Sequence, residues 1–208
     1  MPNQLSVIIL AGGRSSRMGR DKAMIEIDGI PLIRRIYDVV AACRDFDGVT
    51  IERIYSLAPW VTKYQDILPA DCQFIAEQQP HQGPLIAFSQ GLAAINSTWV
   101  LLLACDLPNL STPIVQSWID RLPSIPPQSI AYLPQHLHKG WEPLCGFYHQ
   151  NCRHSLLEYI QAGGQSFQGW LRMNVVTELA IADPICLANC NTPEDLATVV
   201  ENRSFDLK

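Results

Sequence analysis

The sequence predicts an α/β fold, in which a mostly parallel β-sheet is covered by helices. Strongly apolar runs of strand length alternate along the chain with amphipathic stretches, and this alternation is typical of such folds. The chain has 208 residues, of which 48% are hydrophobic and 17% charged, so it is long and apolar enough to bury a core.

The predicted strands are the apolar runs themselves. The first, "SVIIL", is expected to be a buried strand, and "WVLLLAC" is far shorter than the roughly 20 residues that a membrane helix requires. The runs lie near residues 5–10, 49–57, 72–77, 98–105, 129–134, 143–148 and 178–182.

Three helices are predicted from apolar spacing and from helix-start residues. In "PLIRRIYDVVAAC" the apolar residues recur at helical spacing, and Pro31 suits the first turn. A second helix is expected after Gly83, with Pro84 in its first turn. The third, "NTPEDLATVV", starts with a capping threonine, a proline and two acidic residues: Thr192, Pro193, Glu194 and Asp195.

Composition excludes several classes of protein. The net charge of -5 argues against a protein that coats nucleic acid, so any anion site must be local. The seven cysteines form no CxxC pair and are expected to be small core residues in a reducing cytoplasm. The N-terminus lacks the basic segment of a signal peptide. We therefore expect a soluble, cytoplasmic protein that binds neither nucleic acid nor a membrane.

The stretch "VIILAGGRSSRMGRDKAMIE" combines a strand end with a cluster of cations. Gly12 and Gly13 let the backbone turn sharply and direct N–H groups at an anion. Its spacing matches neither the P-loop nor GxGxxG, which disfavours an NAD-dependent enzyme. From the glycines alone, a tight turn with solvated arginines is the alternative to a phosphate site. The cations are Arg14, Arg17, Arg20 and Lys22.

The longer motif "LAGGRSSRMGRDK" closely resembles LAGGxSxRMGxDK, the signature of molybdenum cofactor guanylyltransferases within the wider nucleotidyltransferase group. Three later segments, "EQQPHQGPLIAF", "LLLACDLP" and "ANCNTPEDL", follow in the order that this family would have. The resemblance spans nearly the whole chain. It implies a three-layer α/β/α fold with a mostly parallel, Rossmann-like sheet of the nucleotide-diphospho-sugar transferase type.

No repeat or linker divides the sequence, so residues 1–208 are expected to form one nucleotidyltransferase domain. The segment 123–148 looks like an insertion. By resemblance, the N-terminal half binds the nucleotide and the C-terminal half binds molybdopterin. The implied reaction transfers GMP from GTP to the terminal phosphate of molybdenum-molybdopterin and releases pyrophosphate.

Three residues are expected to be catalytic. Asp106 ends "WVLLLACD", at the carboxyl edge of a parallel sheet, where α/β folds bind ligands. It is expected to hold Mg²⁺, which takes one or two carboxylates together with substrate phosphates. The alternative for Asp106 is a cap on the turn before Pro108. By resemblance and charge, Arg17 is assigned to the leaving pyrophosphate and Lys22 to the phosphates.

The nucleotide contacts come from the resemblance. The LAGG backbone of the family lines the nucleobase, and the cytidylyl relatives resemble LAAG, so Gly13 favours guanine. Glu77 stands where the family usually has aspartate, Ser56 stands near the position where it has asparagine, and both retain hydrogen-bonding atoms. The full nucleotide set is Leu10, Ala11, Gly12, Gly13, Lys22, Ser56, Glu77 and Asp106.

Molybdopterin is assigned to Asn189 and Asn191, which match family positions on that side and whose amides both donate and accept hydrogen bonds. For Asn191, a plain helix start is the alternative. The residues Trp141, Glu142 and Pro143 are expected to border the substrate cleft.

Two other functions are open. One is a cytidylyltransferase acting on molybdopterin, or another nucleotidyltransferase. The other is a carrier without turnover, although Arg17, Lys22 and Asp106 together argue against it. The expected partners are GTP and molybdopterin, with proteins that deliver molybdopterin or mature molybdoenzymes as further candidates.

Overall fold

The computed structural model describes residues 3–12, 21–136 and 139–190, together with residues 192 and 195. The strands are β1 (Asn3–Leu10), β2 (Glu26–Ile27), β3 (Ile30–Pro31), β4 (Val49–Ala58), β5 (Gln73–Ala76), β6 (Trp99–Ala104), β7 (Ala131–Leu133), β8 (Gln135–His136), β9 (Gly140–Trp141), β10 (Cys145–His149) and β11 (Val176–Glu178). The α-helices are α1 (Leu32–Ala41), α2 (Pro84–Ala93), α3 (Thr112–Ile119), α4 (Cys152–Gln161) and α5 (Phe167–Leu171).

Seven strands form the central sheet, in the order β11-β7-β10-β6-β1-β4-β5. The pairs β1–β4, β1–β6, β4–β5 and β7–β11 are parallel. β10 runs antiparallel to both of its neighbours, β6 and β7. The prediction of a mostly parallel sheet is confirmed.

Helices cover both faces of the sheet. On β1, Leu5, Val7 and Ile9 belong to the apolar layer that includes buried residues of α1 and α3. Ile8 and Leu10 belong to the opposite layer, with buried residues of α2, α4 and α5. Because a strand turns successive side chains to opposite faces, the continuous apolar run of β1 supplies both layers. The predicted three-layer α/β/α architecture is confirmed.

Six of the seven predicted runs coincide with strands of the central sheet, and the seventh was predicted too late in the chain. The last strand, β11, ends at Glu178 instead of extending over residues 178–182. One further bond joins the Leu179 N–H to the Leu133 C=O, at 2.8 Å. The chain after β7 enters the short hairpin at Gln135, where it pairs with β9, so the ladder with β11 stops there.

The segment 123–148 is not an insertion, because it supplies β7 and most of β10 to the central sheet. An insertion would lie outside the sheet. The sequence predicted both of these strands, and the turns and short hairpin between them, including β8 and β9, gave the segment the look of an insertion.

The helix predictions are partly confirmed. Both α1 and α2 form, and Pro84 occupies the first position of α2. Pro31 lies just before α1 and pairs with Glu26 in the β2–β3 hairpin, so it is not in the first turn. α3, α4 and α5 were not predicted.

At the third predicted helix, the Asp195 N–H donates to the Thr192 hydroxyl and the Thr192 N–H donates to the Asp195 carboxylate. This reciprocal pair caps a helix start as predicted. Pro193, Glu194 and residues 196–208 lie outside the described residues.

The cysteines behave as core residues. Six of the seven are buried and Cys43 is half-buried, as the sequence predicts. Among the described residues, no helix combines the length and the apolar character needed to cross a membrane.

Candidate active site

A cavity of about 580 Å³ opens at the carboxyl ends of the parallel strands β1, β4, β5 and β6. Each strand delivers a residue to it, because the chain leaves a parallel sheet at this edge. Further walls come from the start of α2 and from the segment before β10. The lining residues are Leu10, Gly12, Asp21, Lys22, Pro59, Glu77, His81, Gly83, Pro84, Ala87, Ala104, Cys105, Asp106, Leu107, Glu142, Pro143, Leu144, Cys145, Leu187 and Asn189.

Two of the predicted catalytic residues form an ion pair in this cavity. The Lys22 Nζ lies 3.1 Å from the Asp106 Oδ2, and the two side chains are 22% and 16% exposed. Desolvation offsets much of the attraction in a partly buried pair, so such a pair adds little net stability. Its position in a cavity of about 580 Å³ therefore points to a function in binding or catalysis.

Asp21 holds the lysine in place. Its Oδ1 accepts the Ala23 N–H at 3.1 Å and so caps the short 3-10 helix that begins at Lys22. Its Oδ2 accepts the Tyr64 hydroxyl at 2.8 Å and lies 3.7 Å from the Lys63 Nζ. The sequence offered a signal for this residue, because Asp21 belongs to the DK end of the motif, but its role depends on Tyr64 from a distant turn.

The turn after β1 requires glycine. Gly12 has a φ of +100°, and a Cβ placed on it would lie 2.5 Å from the Pro59 Cδ. The Leu10 side chain lines the cavity, whereas Ala11 is fully buried and its N–H donates to the Leu57 C=O at 2.9 Å. The predicted contacts of Leu10 and Gly12 are therefore possible in this geometry, while the Ala11 N–H is already used within the sheet.

Glu77 follows β5 and faces the cavity, half-buried. Its N–H donates to the Ala58 C=O at 3.0 Å, which fixes the backbone beside the end of β4. Desolvation raises the pKa of its carboxyl above the ordinary value for glutamate. The cavity position agrees with the predicted nucleotide contact.

The assignment of Ser56 to the nucleotide is corrected. Its side chain is fully buried inside β4, and its hydroxyl is a buried group without a hydrogen-bond partner among the described residues. Ile54 and Ala58 flank it in the strand alternation and belong to the layer with α1. Ser56 therefore points into that layer, and Pro59 is the residue at the end of β4 that lines the cavity.

Asn189 lines the cavity beside Asp106. The N–H of the following residue, Cys190, donates to the Asp106 C=O at 3.0 Å, so the C-terminal segment is joined directly to the aspartate. The other predicted residues at the site, Gly13, Arg17 and Asn191, lie outside the described residues.

In the cavity, the carboxylate of Asp106 suits Mg²⁺ as one ligand in a set that substrate phosphates and water complete. Across the described ranges, no group of three or more histidine, cysteine, aspartate or glutamate side chains is placed to hold a metal ion. Asp106 supplies a carboxylate next to an ammonium group, inside a cavity large enough for a nucleotide. Mg²⁺ is often bound by one or two carboxylates with phosphates and water as the remaining ligands, and Asp106 suits that arrangement.

The α/β/α fold places this cavity at the carboxyl ends of its parallel strands, the edge at which such folds bind their ligands. A family model described as "MobA-like NTP transferase domain" matches residues 7–177, and the chain belongs to this family. The family predicted from the sequence is thereby confirmed.

Similar proteins carry related names. A relative from Trichormus variabilis, named probable molybdenum cofactor guanylyltransferase, is 50% identical over 197 residues, covering 95% of this chain and 91% of its own.

Solved structures share the fold. The molybdopterin-guanine dinucleotide biosynthesis protein A of Archaeoglobus fulgidus superposes with a TM-score of 0.74 at 18% identity, over 96% of this chain and 98% of its own. The 4-diphosphocytidyl-2C-methyl-D-erythritol synthase of Anaerococcus prevotii gives 0.72 at 12% identity, over 98% and 97%.

Proposed function

We propose that this protein is a molybdenum cofactor guanylyltransferase, which transfers GMP from GTP to molybdenum-molybdopterin and forms the guanine dinucleotide cofactor. The observation that carries the proposal is the Lys22–Asp106 ion pair in the cavity at the strand ends. The 50% identity to a relative with this name supports the choice of substrates.

The reaction exchanges one phosphoanhydride bond for another. An oxygen of the terminal phosphate of molybdopterin attacks the α-phosphorus of GTP, and the bond from that phosphorus to the β-phosphate oxygen breaks. Pyrophosphate leaves with the electron pair of the broken bond. No side chain forms a covalent intermediate, so the protein acts by positioning two anions and reducing the repulsion between them.

Each predicted catalytic residue has a role in this scheme. Asp106 holds Mg²⁺, which when bound supplies positive charge to the phosphate oxygens. Lys22, whose ammonium group lies 3.1 Å from the same carboxylate, binds the phosphates beside it. Arg17 binds the leaving pyrophosphate, as the family resemblance implies.

Guanine lies at the end of the cavity formed by Leu10, Gly12 and Glu77. Guanine presents a ring N–H and an exocyclic amino group side by side, and a carboxylate accepts both. The half-buried Glu77 is such an acceptor. Molybdopterin lies toward Asn189 and Asn191, which gives the two halves of the chain the separate substrates that the resemblance implies.

The protein is proposed to work in the cytoplasm, where its partners besides GTP and molybdopterin are those that deliver molybdopterin or mature molybdoenzymes. These partners are inferred from the proposed reaction alone.

The test is pyrophosphate release from GTP or CTP, with Mg²⁺ and molybdopterin, with and without molybdate. Wild type is expected to release pyrophosphate with GTP, and Asp106→Ala is expected to lose at least about 100-fold in rate, because metal and phosphate charge are no longer held. Asp38→Ala is the matched control, since it removes a carboxylate from the exposed Arg34–Asp38 pair on α1.

Release with CTP in place of GTP would reassign the enzyme as a cytidylyltransferase. Nucleotide binding without release from either nucleotide would indicate a carrier. A full rate in Asp106→Ala would remove the aspartate from the catalytic centre.

A further inference from the structure

We infer that Glu142 is the residue that recognises the pterin ring, by accepting hydrogen bonds from its N–H edge. The inference rests on the proposed function, because it takes molybdopterin as the second substrate. The observations that carry it concern where Glu142 lies in the cavity, how its backbone is held and what its carboxylate can accept.

Glu142 lies across the cavity from Glu77. The two residues belong to segments next to β10 and β5, which are four strands apart in the sheet. At the usual spacing of 4.7–4.9 Å between neighbouring strands, the segments are roughly 19 Å apart. Asp106 follows β6 and lies between them, so the cavity has a carboxylate at each end and the ion pair in between.

The backbone before Glu142 is fixed from two sides. The side-chain amide of Gln168, on α5, accepts the Trp141 N–H at 3.2 Å and donates to the Trp141 C=O at 2.5 Å. The Glu142 N–H donates to the Pro134 C=O at 2.9 Å, at the end of β7. Gly140 makes this possible, because a Cβ there would lie 2.6 Å from the Gln168 Oε1. Such support is what a preorganised binding residue requires.

The side chain remains able to bind a ligand. The Glu142 carboxylate is 30% exposed, and its Oε1 lies 3.5 Å from the His136 Nε2. A carboxylate has about four acceptor sites on its two oxygens, so this single contact leaves capacity for two further donors. Within the described part of the chain, His136 approaches only one of the two carboxylate oxygens.

The chemistry of the pterin matches this acceptor. The pyrimidinone half of a pterin carries a ring N–H next to an exocyclic amino group, the same donor pair that guanine presents. A carboxylate accepts such a parallel pair with two charge-assisted hydrogen bonds. Pro143 and Leu144 line the cavity beside Glu142 and offer apolar contact to the face of the ring. The protein thus uses one glutamate for each of two similar heterocycles.

The experiment compares wild type, Glu142→Gln and Glu142→Asp in the full-length protein. Molybdopterin binding is measured by direct titration without GTP, and KM for molybdopterin and for GTP is measured in the pyrophosphate assay. Glu142→Gln is expected to weaken molybdopterin binding and raise its KM about 10- to 100-fold, since a charged acceptor is replaced by a neutral group. The KM for GTP is expected to change less than about 2-fold. The molybdopterin affinity of Glu142→Asp is expected to lie between those of wild type and Glu142→Gln.

Glu158→Gln is the matched control. Glu158 also contacts a histidine, His154 at 3.1 Å, but on the exposed face of α4 and outside the cavity lining. Its substitution removes a similar Glu–His contact and is expected to leave molybdopterin binding and the KM values for both substrates unchanged.

Unchanged molybdopterin titration in Glu142→Gln, with normal binding in wild type, would overturn the inference and leave the proposed function intact. A raised Mg²⁺ requirement with an unchanged molybdopterin affinity would also overturn it, by making Glu142 a metal ligand. If wild type binds both substrates but releases no pyrophosphate, the proposed reaction fails, and a weakened titration in Glu142→Gln would still support the role of Glu142.

Discussion

At the scale of single residues, the two carboxylate oxygens of Asp21 accept hydrogen bonds from two different parts of the chain. One caps the helix that carries Lys22, and the other accepts the hydroxyl of Tyr64, which is almost fully buried. Burial raises the pKa of Tyr64, so the hydroxyl keeps its proton at any working pH and remains a donor. Asp21 and Tyr64 are therefore positioning residues for the lysine.

Tyr64→Phe tests this role. The variant loses the 2.8 Å hydrogen bond to Asp21, and we expect a loss of about 1 kcal/mol in the free energy of unfolding and about 5-fold in kcat/KM. Steady-state kinetics and urea denaturation measure the two effects.

Tyr37→Phe is the control for Tyr64→Phe. Tyr37 is also buried and donates to an aspartate, Asp71 at 2.7 Å, but it lies outside the cavity lining. We expect it to lose similar stability with unchanged kinetics. Equal kinetic losses in both variants would show that Tyr64 contributes only to folding.

Several residues that the sequence singled out line the cavity, including the uncharged Leu10, Gly12 and Asn189, and the sequence was most specific where a charge coincided with a motif. Lys22 and Asp106 satisfy both conditions, and the structure brings them together. Ser56 was placed by its position in a motif, but the face of a strand decides where a side chain points, and that depends on the register of β4. The support of Glu142 comes from Gln168, which no local pattern connects to it.

At the scale of elements, the turn that follows β1 brings the chain close to Pro59. Gly12 combines a positive φ with a close approach, and these are separate demands on the residue. A side chain there would be strained in the backbone and would also displace the proline that lines the cavity.

Gly12→Ala and Gly163→Ala separate the two demands. Gly163 has a φ of +88°, and a Cβ placed on it would meet no atom within 4 Å. We expect Gly163→Ala to cost about 1 to 2 kcal/mol of stability with normal activity. Gly12→Ala is expected to cost about 3 kcal/mol and to weaken GTP binding at least about 10-fold, because Pro59 must move.

Denaturation and GTP titration of these two variants give the answer. Equal losses of stability and normal GTP binding in Gly12→Ala would mean that the contact with Pro59 has no effect on the site.

Strands were easier to predict than helices for a physical reason. Strands buried on both faces appear as continuous apolar runs, whereas α4 has only Cys152 and Leu156 buried and shows little periodicity. α5 has five residues with Gly169 in its middle, too short and too poor a helix former for a sequence pattern.

At the scale of the whole molecule, β1 connects the two apolar layers, since its side chains enter both. Because the same strands form the floor of both layers, loss of either layer exposes the strand face that it covered and weakens the packing of the sheet. This arrangement favours cooperative unfolding, as the prediction of one domain over residues 1–208 requires.

Thermal unfolding tests that prediction. Trp118 lies in one layer and Trp170 in the other, so tryptophan fluorescence reports on both. We expect its transition to coincide with that of far-UV circular dichroism. GTP with Mg²⁺ at 100 times its Kd should stabilise the protein by about 2.7 kcal/mol. Two separate transitions would contradict a single domain.

The bond from the Cys190 N–H to the Asp106 C=O joins parts of the cavity that are synthesised at different times. A nascent chain grows from its N-terminus, so β1, β4, β5, β6 and Asp106 leave the ribosome well before Cys190 does. Until Cys190 arrives, the cavity lacks the wall that contains Asn189. A newly made chain therefore completes the cavity only when the segment around Cys190 is in place, after the strands that form the other walls.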